Sequence, residues 1–595
     1  MPRLWKIHIL SLIGFCLILN CTQFEQGEKS QPLNGAGYVG NESCQSCHQE
    51  IHEAYLETGM GHSMYKPTKS SVEGLPAEVI DSISNFTYKI FWENDSLRIS
   101  EYRMIGCDSI YMRDETIDYI IGSGKKTQSF LLQKNGFLYE APITWYSQKR
   151  IFDLSPGYEN GNNSRFSREI SPTCISCHTG EFSYVADSKN RYREISLGID
   201  CERCHGPGGM HVSVMKGESI LVHGNGFGIT NPANLSIDAQ FDICQQCHLE
   251  GVSVLQEGIS SEREFQPGMR LAEVADVFLV EQQSTAIGIG SHAERLRQSQ
   301  CFIQSEGKLV CTSCHDPHVK PDLTDQSVYT ASCMTCHQES MELICTAPEE
   351  ELRVADNDCI QCHMPVNGTS DIPHVSIHDH LIQVPTPPEK SDQEVAAISE
   401  SIKLICATTS TPAPIQTAKA WLSYYQEREA NPVYLDSVKA YLPADAFWFQ
   451  AQLAFEKQLY TLALENLQKA SSSTQQSLDG LYLKGQCLEA MAKLPKAYEA
   501  YQQAYSQYPN SIESGIKAAT TLLKAFPGKQ ETLTQARAIL QDLYAEKPFD
   551  VRILNNLGFV ALNQGKREEA RFYLKEALRY DPDYLLAKEN LGYLE

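Results

Sequence analysis

Residues 359–380 read CIQCHMPVNGTSDIPHVSIHDH, and residues 311–318 read CTSCHDPH. Both open on Cys-x-x-Cys-His, and the pattern recurs along the chain. The seven copies are Cys44/Cys47/His48, Cys174/Cys177/His178, Cys201/Cys204/His205, Cys244/Cys247/His248, Cys311/Cys314/His315, Cys333/Cys336/His337 and Cys359/Cys362/His363. They take 14 of the 21 cysteines, far more copies than chance would place in one chain. Two thiols three residues apart on one helical turn can add to the two vinyl groups of a haem. The adjacent His then faces the iron as its proximal ligand. Zinc knuckles also pair Cys with His, but they need no His directly after the second Cys in every copy. The spacing predicts seven covalently attached heme c groups per chain.

Seven six-coordinate irons need seven further ligands. Ten His lie outside the motifs, and His8 falls in the leader described below. The other nine are His52, His62, His211, His223, His292, His318, His374, His378 and His380, enough for seven bis-His irons with two to spare. The distinction matters, because an iron with both axial positions filled passes electrons and one with an open position does chemistry. His318, three residues after His315, cannot reach round to the same iron and should staple a neighbouring haem. His211 offers the same device six residues after His205, across Gly206-Pro207-Gly208-Gly209. His374 and His380 follow the last motif within twenty residues. Met60 and Met64 flank His62, and either can replace it as ligand.

Outward from the motifs, the first twenty residues read as an export signal. Arg3 and Lys6 precede an apolar run of 11 residues, Ile9 to Leu19, too short to span a bilayer as a mature helix. Cys21 follows directly, so residues 1–20 are expected to be a lipoprotein-type signal, with lipid on Cys21 and a polar tether over 21–37. A plainly cleaved signal and an uncleaved anchor are the alternatives. Each places the mature chain outside the cytoplasm, in the periplasm or anchored at the outer membrane. With 50 basic against 74 acidic side chains, the net charge of −24 argues against a nucleic-acid binder. A hydrophobic fraction of 42% excludes wholesale disorder, and 595 residues allow several domains.

Between Cys47 and Cys174 the chain alternates as strands do. Phe86, Tyr88, Ile90 and Trp92 share a face, Glu93-Asn94-Asp95-Ser96 makes a turn, and Leu97 and Ile99 follow. Asn135-Gly136 between Ser129–Leu132 and Phe137–Tyr139 predicts a second hairpin. A β-rich insert over 76–160 results, either a partner or lid surface or a shield against solvent. Beyond Cys174 six motifs crowd into 190 residues, so short helices and long loops are expected. Cys301 and Cys345 bracket two motifs and are a candidate disulfide in an oxidising compartment, while Cys107 should stay free.

Pro385-Thr-Pro-Pro and Thr411-Pro-Ala-Pro mark a linker with irregular helices over 386–440. After it Leu557-Gly558, Ala570, Leu574, Ala577 and Pro582 match the tetratricopeptide pattern, and Leu591-Gly592 recurs 34 residues on. Gly485, Ala497, Tyr501, Ala504 and Pro509 give another copy, Ala536, Leu540 and Pro548 a third, and Ala463, Leu467 and Ala470 a fourth. Repeats are expected over 441–595, as a docking surface for a redox partner or as a stabilising appendage.

The strings YVGNESCQSCH (38–48), the stretch from Tyr119 to Tyr158, CERCHGPGGMHV (201–212), CTSCHDPH and CIQCHMPVNGTSDIPHVSIHDH resemble the multihaem c-type cytochromes that include the tetrahaem carrier of ammonia oxidisers. The closer resemblance is to a branch fused to tetratricopeptide repeats. It covers about residues 38–385, read as a heptahaem domain. It implies electron transfer with His211, His292, His318, His374 and His380 as distal ligands. His62 and His223 complete the candidate set of seven. The expected fold is multidomain and mostly α: a loop-rich cytochrome c domain with a β-rich insert, then an α-solenoid. Electron transfer with mostly bis-His haems is the leading expectation. The alternative is a reductase or oxidase of a small nitrogen or sulfur compound at one five-coordinate haem, although no Cys-x-x-Cys-Lys variant occurs. A scaffold with secondary haems is the third reading.

Overall fold

The computed structural model describes residues 37–218, 227–281, 287–306, 308–321, 324, 326–337, 345–356, 358–385 and 402–594. The leader, Cys21, most of the tether, His223 and the first part of the linker lie outside the described residues.

The alternating segments form two antiparallel sheets. Strands Ala77–Asp81, Phe86–Glu93, Ser96–Ile105 and Asp108–Thr116 make a four-stranded meander. Thr127–Lys134 and Phe137–Tyr146 form the centre of a six-stranded sheet, joined by Tyr119–Ile121, Ile151–Leu154 and two short strands at Met64–Tyr65 and Arg168–Glu169. Asn135 and Gly136 turn the central hairpin at φ 50° and 85°, and Lys134 pairs with Phe137. A two-residue turn with both central residues at positive φ matches the twist of its strands. Tyr88, Ile90 and Ile99 of one sheet meet Phe130, Leu132 and Ile143 of the other in one shared core.

The motif region is built of short helices and long connections, with most helices only four to nine residues long. It also holds a three-stranded sheet of Val252–Leu255, Ala275–Val280 and Leu404–Cys406. The described part of the stretch 386–440 packs into the fold. Residues 404–406 complete that sheet, and helix Pro414–Glu427 packs Ala418, Trp421 and Leu422 against Val254 and Phe278. Pro414 occupies the first turn of that helix, where no N–H is needed.

From Phe447 to Gly592 antiparallel helices stack in pairs. The small residues of the repeat pattern lie at the contacts. Ala463, Ala497, Ala504, Ala536, Ala570 and Ala577 are fully buried. A Cβ on Gly485 would overlap the Tyr501 ring, and one on Gly558 would stand 2.6 Å from Leu574. The far end of the stack returns to the β-rich region. Arg103 pairs with Asp583 at 2.8 Å, Arg165 with Asp581 at 2.9 Å, and Lys547 with Glu169 at 3.2 Å. The Tyr111 hydroxyl donates to the Arg579 carbonyl, and Phe549 meets the edges of Phe137 and Tyr139. Among the described residues no helix is long and apolar enough to cross a membrane.

Candidate haem sites

Each motif is folded as a tight turn. The N–H of His48, His205, His315 and His337 donates to the carbonyl of the first Cys of its own motif, at 2.9–3.1 Å. Motif four ends the helix Ile237–His248, and motif seven is the helix Cys359–His363. One helical turn places the two thiols a step apart and carries the His just beyond them.

Four of the motif imidazoles meet imidazoles from elsewhere in the chain. His48 and His211 face each other with ring centres 6.3 Å apart and planes at 20°. His205 and His318 stand at 6.0 Å and 21°, and His315 and His380 at 6.3 Å and 35°. Two imidazoles bound trans to one metal at about 2 Å each have ring centres roughly 6 Å apart. His248 and His292 are closer, at 5.3 Å, and His292 also lies 4.7 Å from His380. His318 therefore meets the His of motif three, not His315 three residues before it. His211 meets motif one.

Second contacts set the ring tautomers. Nδ1 of His205 donates to the Thr230 carbonyl at 2.9 Å, and Nδ1 of His211 to that of Phe227 at 2.9 Å. Nδ1 of His363 donates to Gln383 at 2.8 Å, His378 to Met364 at 2.9 Å and His380 to His378 at 3.1 Å. Such bonds hold the proton on Nδ1 and leave the Nε2 lone pair for a metal. Burial, then the facing His380 and His248, lowers His292 to about 3. Burial, then His315, lowers His380 to about 4. Both rings are neutral at neutral pH, the form that ligates.

The remaining candidates are placed differently. Nε2 of His374 hydrogen-bonds Asp153 at 2.8 Å, its ring meets the edge of Tyr146, and its φ is 61°. The nitrogen that would face an iron is engaged by a carboxylate. His62 lies flat on Tyr65, ring centres 3.8 Å apart. Two His outside the seven candidates gain support. His378 is brought beside the last motif by the pairing of Ser376–His378 with Val366–Gly368. His52 is buried four residues after His48, and its Nδ1 has no hydrogen-bond partner among the described residues. The pairing that places His378 is a three-residue ladder, too short to show as an alternating pattern.

Thiols of different motifs touch. Cys44 lies beside Cys201, Cys177 beside Cys247, Cys244 beside Cys311 and Cys333 beside Cys359, close enough for each to shift its neighbour's titration. The Cys177 thiol is lowered to about 7, first by the neighbouring Cys247. Cys204 lies close enough to Cys244 and Cys247 to raise them further, and Cys314 does the same to Cys333.

Spacing alone makes the fourteen candidate attachment thiols look alike, and the structure separates them. Cys47, Cys174, Cys336 and Cys362 are exposed, each beside a half-buried partner in its own motif. Motif seven shows the contrast: Cys359 turns inward to Cys333, whereas Cys362 stands at the surface one helical turn on.

The expected disulfide is not formed: Cys301 and Cys345 are both free thiols. Cys301 lies near Cys333 and Cys336, whereas Cys345 lies near Cys359, so each has settled against a different motif. Cys107 is free and exposed. Thiol pairs on single turns, imidazoles with Nδ1 engaged and rings facing at a shared-metal spacing fit haem c.

The family described as cytochrome c554 and c-prime matches residues 154–206, and a tetratricopeptide repeat family matches 551–584. The multiheme cytochrome MtrA of Shewanella baltica (strain OS185) is 23% identical over 227 residues, 37% of this chain and 52% of that protein. The chain thus spans about half the length of that curated relative. Among solved structures, the outer cell wall cytochrome OcwA is 17% identical, with a TM-score of 0.36 over 80% of this chain and 99% of its own. YrrB, a tetratricopeptide protein with an unusual peptide-binding site, is 21% identical over 30% of this chain and 90% of its own, with a TM-score of 0.25.

Proposed function

Since the chain joins a cytochrome c554-like multihaem domain to C-terminal tetratricopeptide repeats, we propose that it conducts electrons through seven covalent haems, mostly bis-His. The observation that carries this reading is the contact network among motif thiols. Because each thiol bonds a vinyl edge, touching thiols bring haem edges together. The network gives an order: motif one beside three, then four, five, six and seven, with motif two branching from four. A six-coordinate haem supplies one-electron transfer and leaves no position for substrate. The chain's own part is to hold neutral imidazoles in place and to exclude solvent around them. Facing rings support His211, His292, His318 and His380 as distal ligands, and backbone-fixed His378 is a stronger candidate than His374.

The leader places the wire outside the cytoplasm, held to a membrane by lipid on Cys21. The repeats present their remaining surface to a redox partner while their far end grips the β sheets. Pyridine haemochrome analysis should return seven haems per chain, and the oxidised protein should show only low-spin ferric signals in paramagnetic resonance. A high-spin signal that responds to nitrite or hydroxylamine would replace the wire with a reductase.

A further inference from the structure

The helix that begins at His292 and the strand that carries His378 are separated in sequence by three haem motifs, and two ties join them. Before the helix, the Ile289 N–H donates to the Asp371 carboxylate at 3.0 Å, and the Ser370 N–H to the Ile287 carbonyl at 2.9 Å. Within it, Arg295 lies one turn after His292 and pairs with Asp379, the residue between His378 and His380. Nε of Arg295 donates to one carboxylate oxygen at 2.8 Å and Nη2 to the other. Asp379 is 1% exposed and also accepts from the Leu381 N–H at 2.9 Å. A guanidinium and a carboxylate matched fork to fork fix direction as well as distance.

The peptide between His378 and Asp379 is held on both sides. Its N–H donates to the Pro365 carbonyl at 2.9 Å, and its carbonyl accepts from Nδ1 of His380 at 3.1 Å. The ion pair therefore reaches the His380 ring through one peptide unit and His292 through one turn of helix. Those two rings lie 4.7 Å apart and face different motifs, His292 toward His248 and His380 toward His315. These motifs, four and five, are also the ones whose Cys244 and Cys311 lie side by side.

We propose that Arg295 and Asp379 are positioning residues, one buried pair that sets His292 and His380 toward the irons of motifs four and five. The proposal rests on the reading of those two imidazoles as distal ligands. A ligating imidazole needs its ring held by contacts beyond the metal, because a turned or withdrawn ring leaves the sixth position open. Neither Arg295 nor Asp379 is itself a ligand; each acts through an imidazole. Breaking such a pair strands a buried charge, and the strain falls on the two segments it joins.

The test is paramagnetic resonance of the oxidised, haem-loaded chain carrying Asp379→Asn or Arg295→Lys. Each variant should keep the parent's haem count, because attachment rests on the motif cysteines. Each should lose low-spin intensity, at most that of two irons, to a high-spin ferric signal. Arg295→Lys retains the charge and lacks the fork, so it separates geometry from electrostatics. Spin state follows ligation, whereas a nearby charge alone moves only the potential. Glu101→Gln is the control, since it breaks a pair with Arg165 that is buried as deeply in the β-rich region. It should leave the low-spin spectrum unchanged. An unchanged spectrum in both pair variants overturns the proposal, and so does an equal high-spin signal in Glu101→Gln. A pair needed only for folding would lower the haem count of both variants, which overturns it too. His292→Ala and His380→Ala separate the two readings. If each adds a high-spin signal and the pair variants do not, the ligands stand and the positioning role falls. If either leaves the spectrum intact, that His is lost as a ligand and the proposal with it.

Discussion

At the scale of single residues, the candidate ligand imidazoles divide by what their second nitrogen touches. Where Nδ1 donates to a carbonyl, as in His205, His211 and His380, Nε2 is free to ligate. Where Nε2 meets Asp153, as in His374, it is not. This difference leads to a paired prediction. His211→Ala should add one high-spin ferric signal while the haem count stays the same, because attachment rests on Cys44 and Cys47. His374→Ala should leave the low-spin spectrum intact; a new high-spin signal there would return His374 to the ligand set. The position of these His along the chain is legible in the sequence, since Cys-His-Asp-Pro-His already rules out His318 for its own iron. Which imidazole each one faces is not, because His205 and His318 lie far apart in sequence and meet only through packing.

At the scale of elements, turn chemistry and small residues carry the local folds. Asn135-Gly136 is readable because only a narrow set of residues tolerates positive φ at both central positions. Gly136 sits at φ 85°, and a Cβ there would lie 2.8 Å from the Tyr192 carbonyl. Gly136→Val should therefore destabilise the sheet by about 1–3 kcal/mol, seen as a lower melting temperature. In the solenoid, Gly485→Ala drives a methyl into the Tyr501 ring. It should cost about 1–3 kcal/mol by overpacking, measured as a lower denaturant midpoint with an unchanged slope. The strand Leu404–Cys406 leaves no such mark in the sequence. Three residues between prolines carry no period, and their partner strand lies more than a hundred residues upstream.

At the scale of the whole molecule, the solenoid is anchored to the haem-bearing part at both ends. Helix Pro414–Glu427 packs on the three-stranded sheet, and the end of helix Arg567–Tyr580 with the turn after it grips the β-rich region. The hydrogen bond from Arg103 holds the Asp583 carboxyl below its usual range. A carboxyl lowered in the folded state stabilises above its unfolded pKa and loses that contribution as pH falls through the folded one. Acidification into that range should therefore speed hydrogen exchange in Asp108–Thr116 and in residues 579–583 before the haem spectrum changes. Asp581→Asn with Asp583→Asn should produce the same loosening at neutral pH; exchange unaltered in the double variant would show that Phe549 and its aromatic neighbours hold the contact alone. What the sequence determined by itself was local: the haem motifs, the hairpin turn and the repeat period, because each is a short-range rule about spacing or backbone conformation. Only the tertiary structure decided which imidazoles and thiols meet, that Cys362 stays at the surface while Cys359 does not, that Cys301 and Cys345 part, and where the solenoid docks. Those contacts join residues up to hundreds of positions apart, and close packing of the assembled elements, not any local preference, selects them.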